Sequence, residues 1–364
     1  MRALLVVRPD AGSRPGGDVV HAEHALRALR TLDVDATLVA TDAPDPRGYD
    51  VAHVFGVFAP ETAARQIGAI RRAGIPLVLS PIWLDLRALF ATAPQIERAL
   101  TAGSPAGVQR RLARLRVIEQ RLPWQGSIAR NADRRAAQQR ELVSQADVLL
   151  PASEVEAYLY GERLRVAQVP FVVAPLGVDA DAFAVERASA RRGVLCAARI
   201  EPKKNQALLL YALRDVDVEI TLVGQAHDAP YLALCRRWAT SRTRFVDHAT
   251  RADVLAMMAR CAVHAHPSWL ESPGLSSLEA AATGARVVTG DRGCEREYFG
   301  PEIDYADPAD PESIHDAVVR ALEHGTRERD DDLERRLAAR TWQHHAEATL
   351  DAYTRAIAAH HARP

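Results

Sequence analysis

Two glutamates, Glu271 and Glu279, stand eight positions apart in HAHPSWLESPGLSSLEAAATGARVVTG. Their settings differ. A strand delivers Glu271 onto a loop, where an ionised carboxylate can accept hydrogen bonds from hydroxyl groups. A helix opens near Gly274 and carries Glu279 beside the apolar Ala280–Ala282, beyond the first turn, where offsetting the helix dipole does not explain a charge. A vicinal diol is a ligand suited to it. The backbone N–H groups of Gly274 and Leu275 at the helix start are free to hold a phosphate.

Cations gather in a second stretch, ARIEPKKNQALLLYAL, with Arg199, Lys203 and Lys204 at the C-terminal end of an apolar run. Of the 46 basic residues in the chain, only Lys203 and Lys204 are lysine, although arginine serves everywhere else. An ammonium is a compact point charge that suits a phosphate oxygen in a tight place. Fixed cations of this kind also lower a barrier when charge develops on a departing diphosphate. A third loop, RPDAGSRPGGDVVHAEHAL, places Gly16 and Gly17 before a helix beginning near Asp18, so that its backbone can approach a ligand closely. The spacing is not GxGxxG, so the dinucleotide fingerprint fails, and a plain turn explains these glycines equally well.

These loops need a scaffold. Ala3 to Val7, Ala36 to Ala40, Val51 to Phe55, Pro76 to Ser80 and Val148 to Leu150 are short, continuous apolar runs separated by helix-periodic stretches. Continuous apolar strands imply a parallel sheet covered on both faces. The pattern stops where glycine, proline and charge accumulate and resumes at Gly193 with GVLCAARI, EITLVG, TRFVD, AVHAHP and ARVVTG. The fold expected is α/β, with two doubly wound, Rossmann-like parallel-sheet domains facing a central cleft. Open sheets of this class bind ligands at the C-terminal ends of their strands. The boundaries read as a first domain of residues 1–173, a linker of 174–192, a second domain of 193–341, and a helix of 342–364 packing back on the first domain.

Composition bounds the rest. A chain of 364 residues with 48% hydrophobic and 26% charged residues is globular and long enough for two cores. A formal net charge of −1 gives no case for nucleic acid. Cys196, Cys235, Cys261 and Cys294 form no CxxC pair and read as buried thiols. No apolar stretch spans a bilayer and the opening MRALLVVRPD is too short for a signal peptide, so a cytoplasmic chain is expected. Between Glu97 and Arg140, ten arginines face three acids. In VQRRLARLRVIEQRL the apolar Leu112, Leu115 and Ile118 recur at helical spacing. The Arg-rich segment 110–121 could rest on an anionic membrane or hold a phosphorylated lipid, or it could pack its leucines on the domain. His264 with His266, and His21 with His24, lack a third ligand at a metal-binding spacing, so no metal is assigned.

The motifs GGDVVHAEHAL, ADVLLPASEVEAYL, PLGVD, ARIEPKKNQALL and ESPGLSSLEAAATG resemble those of the GT-B glycosyltransferases of the large retaining family called GT4. The resemblance runs through nearly the whole chain and is most specific in the last two motifs. It implies a sugar transferred, with retention and without a bound metal, from a UDP- or GDP-sugar to a saccharide or lipid-linked acceptor, as in bacterial surface polysaccharide synthesis. It further implies donor-phosphate binding by Arg199 and Lys204, a sugar contact by Glu271, ribose binding by Glu279, and backbone contacts from Gly17, Gly274 and Leu275. No cofactor is implied. The leaving phosphate acts as the base. The family's sugar-facing histidine has no counterpart in LVLSPIWLD, where Asp85 either orients an acceptor hydroxyl or caps the next helix. A sugar-nucleotide epimerase would share the architecture but not this glutamate spacing, and a nucleotide-sugar-binding module without catalysis is the non-enzyme alternative.

Overall fold

A computed structural model describes residues 1–14, 16–83, 85–101, 104–119, 127–327 and 331–362. The chain divides into two compact units. Unit 1 comprises Met1–Leu84, Asp133–Gly177 and Arg340–Pro364, and unit 2 comprises Asp85–Ala132 and Val178–Ala339.

Unit 1 holds a five-stranded, all-parallel sheet. Its strands are β1 (Arg2–Val7), β2 (Asp35–Ala40), β3 (Val51–Phe55), β4 (Leu77–Ser80) and β5 (Val148–Leu149), in the order β2-β1-β3-β4-β5. The central strands β3 and β4 are buried at every position, as the continuous apolar runs require. The C-terminal helix Trp342–His361 belongs to this unit, and buried polar side chains hold it there. His345 Nδ1 lies 3.0 Å from the carbonyl oxygen of Ala174 and its Nε2 lies 3.1 Å from Nε2 of His21. On the same helix the Tyr353 hydroxyl lies 3.0 Å from Nδ1 of His53, whose Nε2 is 2.9 Å from the Ser80 hydroxyl.

Burial keeps these imidazoles neutral. It drives His21 and His53 well below the ordinary histidine range, and lowers His345 to about 4 even though the carbonyls of Ala174 and Pro175 favour its charged form. Unfolded, such histidines titrate near 6.5. Between pH 6.5 and 4 the unfolded chain therefore binds protons that the folded chain refuses, and stability falls as the pH falls. For His345 alone the loss across that window is about 3 kcal/mol. Thermal unfolding followed from pH 7 to pH 4.5 is expected to show Tm dropping by several degrees, and His345→Gln should flatten that dependence. An unchanged slope in the variant would contradict the assignment.

Unit 2 holds a six-stranded, all-parallel sheet of β6 (Val194–Ala197), β7 (Ile220–Val223), β8 (Thr243–Val246), β9 (Val263–His266), β10 (Arg286–Gly290) and β11 (Asp304–Ala306), in the order β11-β10-β9-β6-β7-β8. This is the dinucleotide-fold order of two mirrored halves, and its reversal lies between β6 and β9. In open sheets of this class ligands bind outside the C-terminal ends of the strands at such a reversal.

The units depart from the domain boundaries expected above. Residues 85–132 of the expected first domain, 1–173, group with unit 2. Ile96, Leu100, Val108 and Leu112 join the core that contains Leu208, Leu209 and Trp238, and Tyr211 donates through its hydroxyl to the carbonyl of Pro105. Leu112 is buried and Leu115 packs against the same core, while Arg110, Arg111 and Arg114 face solvent. The leucine face of the Arg-rich segment is thus covered by protein. The Ile118 side chain and residues 120 and 121 of that segment lie outside the described residues. The expected linker, 174–192, is divided as well, 174–177 joining unit 1 and 178–192 unit 2. Arg187 and Arg191 anchor its later part by donating to the carbonyls of Ala282 and Met258, which close two helices. Among the described residues no helix is long and apolar enough to cross a membrane.

Candidate active site

The two loops at the reversal point of unit 2 are those that carry the conspicuous charges. After β6, Arg199 leads into a short 3-10 turn, Pro202–Lys204, and then the helix Gln206–Ala212. Asn205 joins turn to helix in the left-handed region at φ 62°, which asparagine tolerates better than most residues. Its side-chain amide donates to the carbonyls of Pro267 (3.1 Å) and Pro308 (2.8 Å). Trp269 N donates to the Lys203 carbonyl at 2.9 Å and Ser268 Oγ lies 3.0 Å from it, so the loop after β9 is stitched to the loop after β6.

Stitching brings Lys204 to Glu271. Nζ lies 2.6 Å from Oε1, and both side chains are largely buried. Ser268 Oγ donates to the same oxygen at 2.5 Å. Burial opposes ionisation of Glu271, yet the ammonium groups of Lys203 and Lys204 outweigh it and hold the carboxyl well below its usual range. His266 lies 3.7 Å away and is driven neutral by burial, with Lys204 adding to the effect. An ammonium has three donors, and Glu271 takes one of them. The pair can therefore face an anion without coming apart. Partial burial lowers the pKa of Lys203 also, although Glu271 supports its charge.

Backbone shape keeps this loop in place. Gly274, the residue before the helix Leu275–Ala282, has φ 89°, and a β-carbon there would sit 3.4 Å from Glu271 Cγ. Across the loop, a β-carbon on Gly293 would lie 2.2 Å from the Glu271 carbonyl oxygen, a separation only glycine permits. Arg199 is partly exposed and pairs with Glu201 at 3.2 Å. Glu279 lies five residues into its helix, about 7 Å beyond Gly274 along the axis. Its Oε1 accepts from Arg251 Nε at 3.0 Å. The structure thus joins Lys204 to Glu271 and leaves Glu279 in a separate ion pair with Arg251, on the neighbouring helix Arg251–Met258.

The remaining predicted residues are placed elsewhere. Gly16 precedes the helix Gly17–Arg30 in unit 1 without a side-chain cap, and the space where a Gly17 β-carbon would stand is open. Arg8 pins that loop through Asp18 (2.8 Å) and Asp10 (2.7 Å). Asp85 accepts from the N–H of Arg87 and pairs with its guanidinium just before the helix Arg87–Thr101. Just before it, where LVLSPIWLD lacks a histidine, Ile82 has φ 47°, a strained value for a β-branched residue. Trp83 is buried there and donates to Gln139 at 2.9 Å.

Sequence reasoning missed Ser268, Asn205 and Arg251. Their types are common on loops, and only the three-dimensional pairing marks them. It also missed Glu295, fully buried at the start of the helix Glu295–Phe299. Burial and the nearby Glu271 push its carboxyl up to about 8, so it is uncharged at neutral pH. All four cysteines are buried and none is in a disulfide. Among the described residues no group of three or more His, Cys, Asp or Glu side chains is arranged to hold a metal.

Residues 179–340 match the family model described as glycosyl transferases group 1. No curated protein matches the chain. Solved structures of similar fold include sucrose-phosphate synthase from Thermosynechococcus elongatus, at 15% identity and TM-score 0.60, covering 98% of this chain and 97% of that one. The UDP-forming α,α-trehalose-phosphate synthase from Burkholderia xenovorans, in complex with glucose-6-phosphate, is 11% identical at TM-score 0.66, covering 97% and 100%. Anabaena HepE in complex with UDP is 16% identical at TM-score 0.58, covering 99% and 98%. At such identities the likeness is one of fold, and the fold is GT-B.

Proposed function

We propose, from the match of residues 179–340 to the group 1 glycosyl transferase model, that the chain transfers a sugar from a nucleoside-diphosphate sugar to a hydroxyl acceptor with retention at the anomeric carbon. The observation that carries this reading is the Lys204–Glu271 pair, held at 2.6 Å by loops leaving the two strands of the reversal point. In this reading Arg199 and Lys204 neutralise the diphosphate as its bond to the sugar breaks. The N–H groups of Gly274 and Leu275 hold a phosphate at the helix start, aided by the helix dipole. Glu271 accepts from a sugar hydroxyl through Oε2, since its two described bonds fall on Oε1. Glu279 receives the ribose diol. The departing phosphate oxygen takes the acceptor proton, so no protein base is needed, and the cationic side chains supply the charge compensation without a metal.

UDP and GDP are the donor nucleotides considered, and a saccharide or lipid-linked saccharide the acceptor, consistent with surface-polysaccharide synthesis. Several neighbours of the same fold were solved with UDP or glucose-6-phosphate, which supports the ligand classes. Exposed Arg110, Arg111 and Arg114 offer an electrostatic contact for an anionic lipid surface.

The test is incubation with UDP- and GDP-sugars and an oligosaccharide acceptor, with products read by NMR. Free nucleoside diphosphate and a new glycoside of unchanged anomeric configuration are expected. A changed free donor would indicate epimerisation, and binding without product would indicate a module that holds nucleotide sugars only.

A further inference from the structure

We propose that Arg251 is a positioning residue that presents one oxygen of Glu279 to the ribose of the donor, so that both ribose hydroxyls are read by that oxygen. The inference rests on the reading above that Glu279 receives the diol, and concerns how it is held. Arg251 is the first residue of the helix Arg251–Met258, whose start is fixed by a capping box between Thr250 and Asp253. Its guanidinium meets three carboxylates. Nε and Nη2 both lie on Glu279 Oε1, at 3.0 and 2.8 Å. Nη2 also reaches Asp181 Oδ1 at 3.0 Å and Asp179 Oδ2 at 3.1 Å, while Nη1 donates to Asp181 Oδ2.

The arrangement has a direction. Nε donates to Oε1 and Nη2 lies 2.8 Å from the same oxygen, so both contacts of Arg251 with this carboxylate fall on one of its two oxygens. Among the described contacts Oε2 has no partner, and it retains two acceptor positions, one for each hydroxyl of a vicinal diol. A guanidinium brings two nitrogens in a fixed fork to one oxygen, whereas an ammonium would bring a single point charge. Asp179 and Asp181 hold the guanidinium from the other side, so that it is anchored without Glu279.

Arg251 also sets the charge. Burial pushes the Glu279 carboxyl upward, the Arg251 guanidinium opposes that shift, and Asp179 and Asp181 add to it. Removing Arg251 would leave Glu279 half-buried beside two like charges, favouring the protonated acid. That acid loses acceptor strength toward the diol.

The experiment measures calorimetric affinity for UDP and GDP against their 2′-deoxy and 3′-deoxy counterparts at pH 7, in the wild type, Arg251→Met, Arg251→Lys and Glu279→Ala. Deleting a hydroxyl bonded to a carboxylate is expected to weaken wild-type binding about tenfold or more. In Arg251→Met the ribose-to-deoxyribose ratio should shrink to within about threefold, and raising the pH to 9 should restore part of it as Glu279 ionises. Arg251→Lys keeps a charge but not the planar fork, and should give an intermediate ratio in a protein whose melting temperature attests its folding. A full ratio in folded Arg251→Met or Arg251→Lys, with the ratio lost in Glu279→Ala, would overturn the inference and leave the ribose reading standing. Equal wild-type affinities for ribose and deoxyribose nucleotides, or no nucleotide binding, would instead overturn the reading on which it rests.

Discussion

Lys204→Met is expected to lower kcat for sugar transfer by about 10²- to 10³-fold, the loss typical of removing one preorganised group at a developing negative charge. The reasoning begins with the pair. Lys204 sits 2.6 Å from Glu271 with only 14% of its side chain exposed, so its charge acts in a poorly screened place. Methionine keeps the length and apolar stem of the side chain but removes the charge. Glu271 would then rely on Lys203 and Ser268, and a buried carboxylate that loses a partner costs stability, on the order of 3–5 kcal/mol in the unrelieved case. The expected result is therefore a folded enzyme of lower Tm whose turnover falls more than its KM for the donor rises. The double variant Lys204→Met/Glu271→Gln separates the two effects by relieving the unpaired charge. Recovered Tm without recovered kcat would assign the ammonium to the reaction, whereas recovery of both would reduce Lys204 to a partner of Glu271.

The second large effect is expected at a residue with no functional group. Gly293→Ala would set a β-carbon 2.2 Å from the Glu271 carbonyl oxygen and 2.5 Å from Glu295 Oε2, far inside van der Waals contact. The backbone of the loop must move, because the first obstacle is not the end of a flexible side chain. Overpacking of this kind costs about 1–3 kcal/mol. The displacement falls on the residue that holds Lys204, and a misplacement near 1 Å can cost about 10²-fold in rate. Turnover should fall by that order while the far-ultraviolet circular dichroism of the sheets stays intact. Wild-type turnover in Gly293→Ala would show that the exact position of the Glu271 loop is irrelevant to the reaction.

Much of the scaffold is legible in the sequence because parallel strands buried on both faces must be written as unbroken apolar runs. The central strands β3 and β4 announce themselves this way, whereas Asp304–Ala306 does not, being a three-residue edge strand in which only Ala306 is fully buried. The candidate site was legible where a residue type broke a compositional habit. Lys203 and Lys204 stand out in an arginine-writing chain, and Glu279 stands out among alanines. Ser268, Arg251 and Glu295 are invisible for the opposite reason. A serine near a proline, an arginine after a cap and a glutamate opening a short helix each have an ordinary local explanation, and what makes them special is a partner distant in sequence. The grouping of residues 85–132 with unit 2 was hidden likewise. Apolar spacing showed that Leu112 and Leu115 face a core, but periodicity does not say whose.

The piecemeal composition of the units bears on how the chain comes into being. Unit 1 is finished by the helix Trp342–His361, whose His345 and Tyr353 reach side chains on the first fifty-three residues. Synthesis at about 5–20 residues per second means that the opening sheet waits tens of seconds for its last covering layer to leave the ribosome. During that interval His21 lacks His345 and His53 lacks Tyr353, and a nascent chain halted after Ala339 would expose the surface that this helix occupies. Emergence of this helix, rather than completion of the first sheet, should be the event after which unit 1 resists protease.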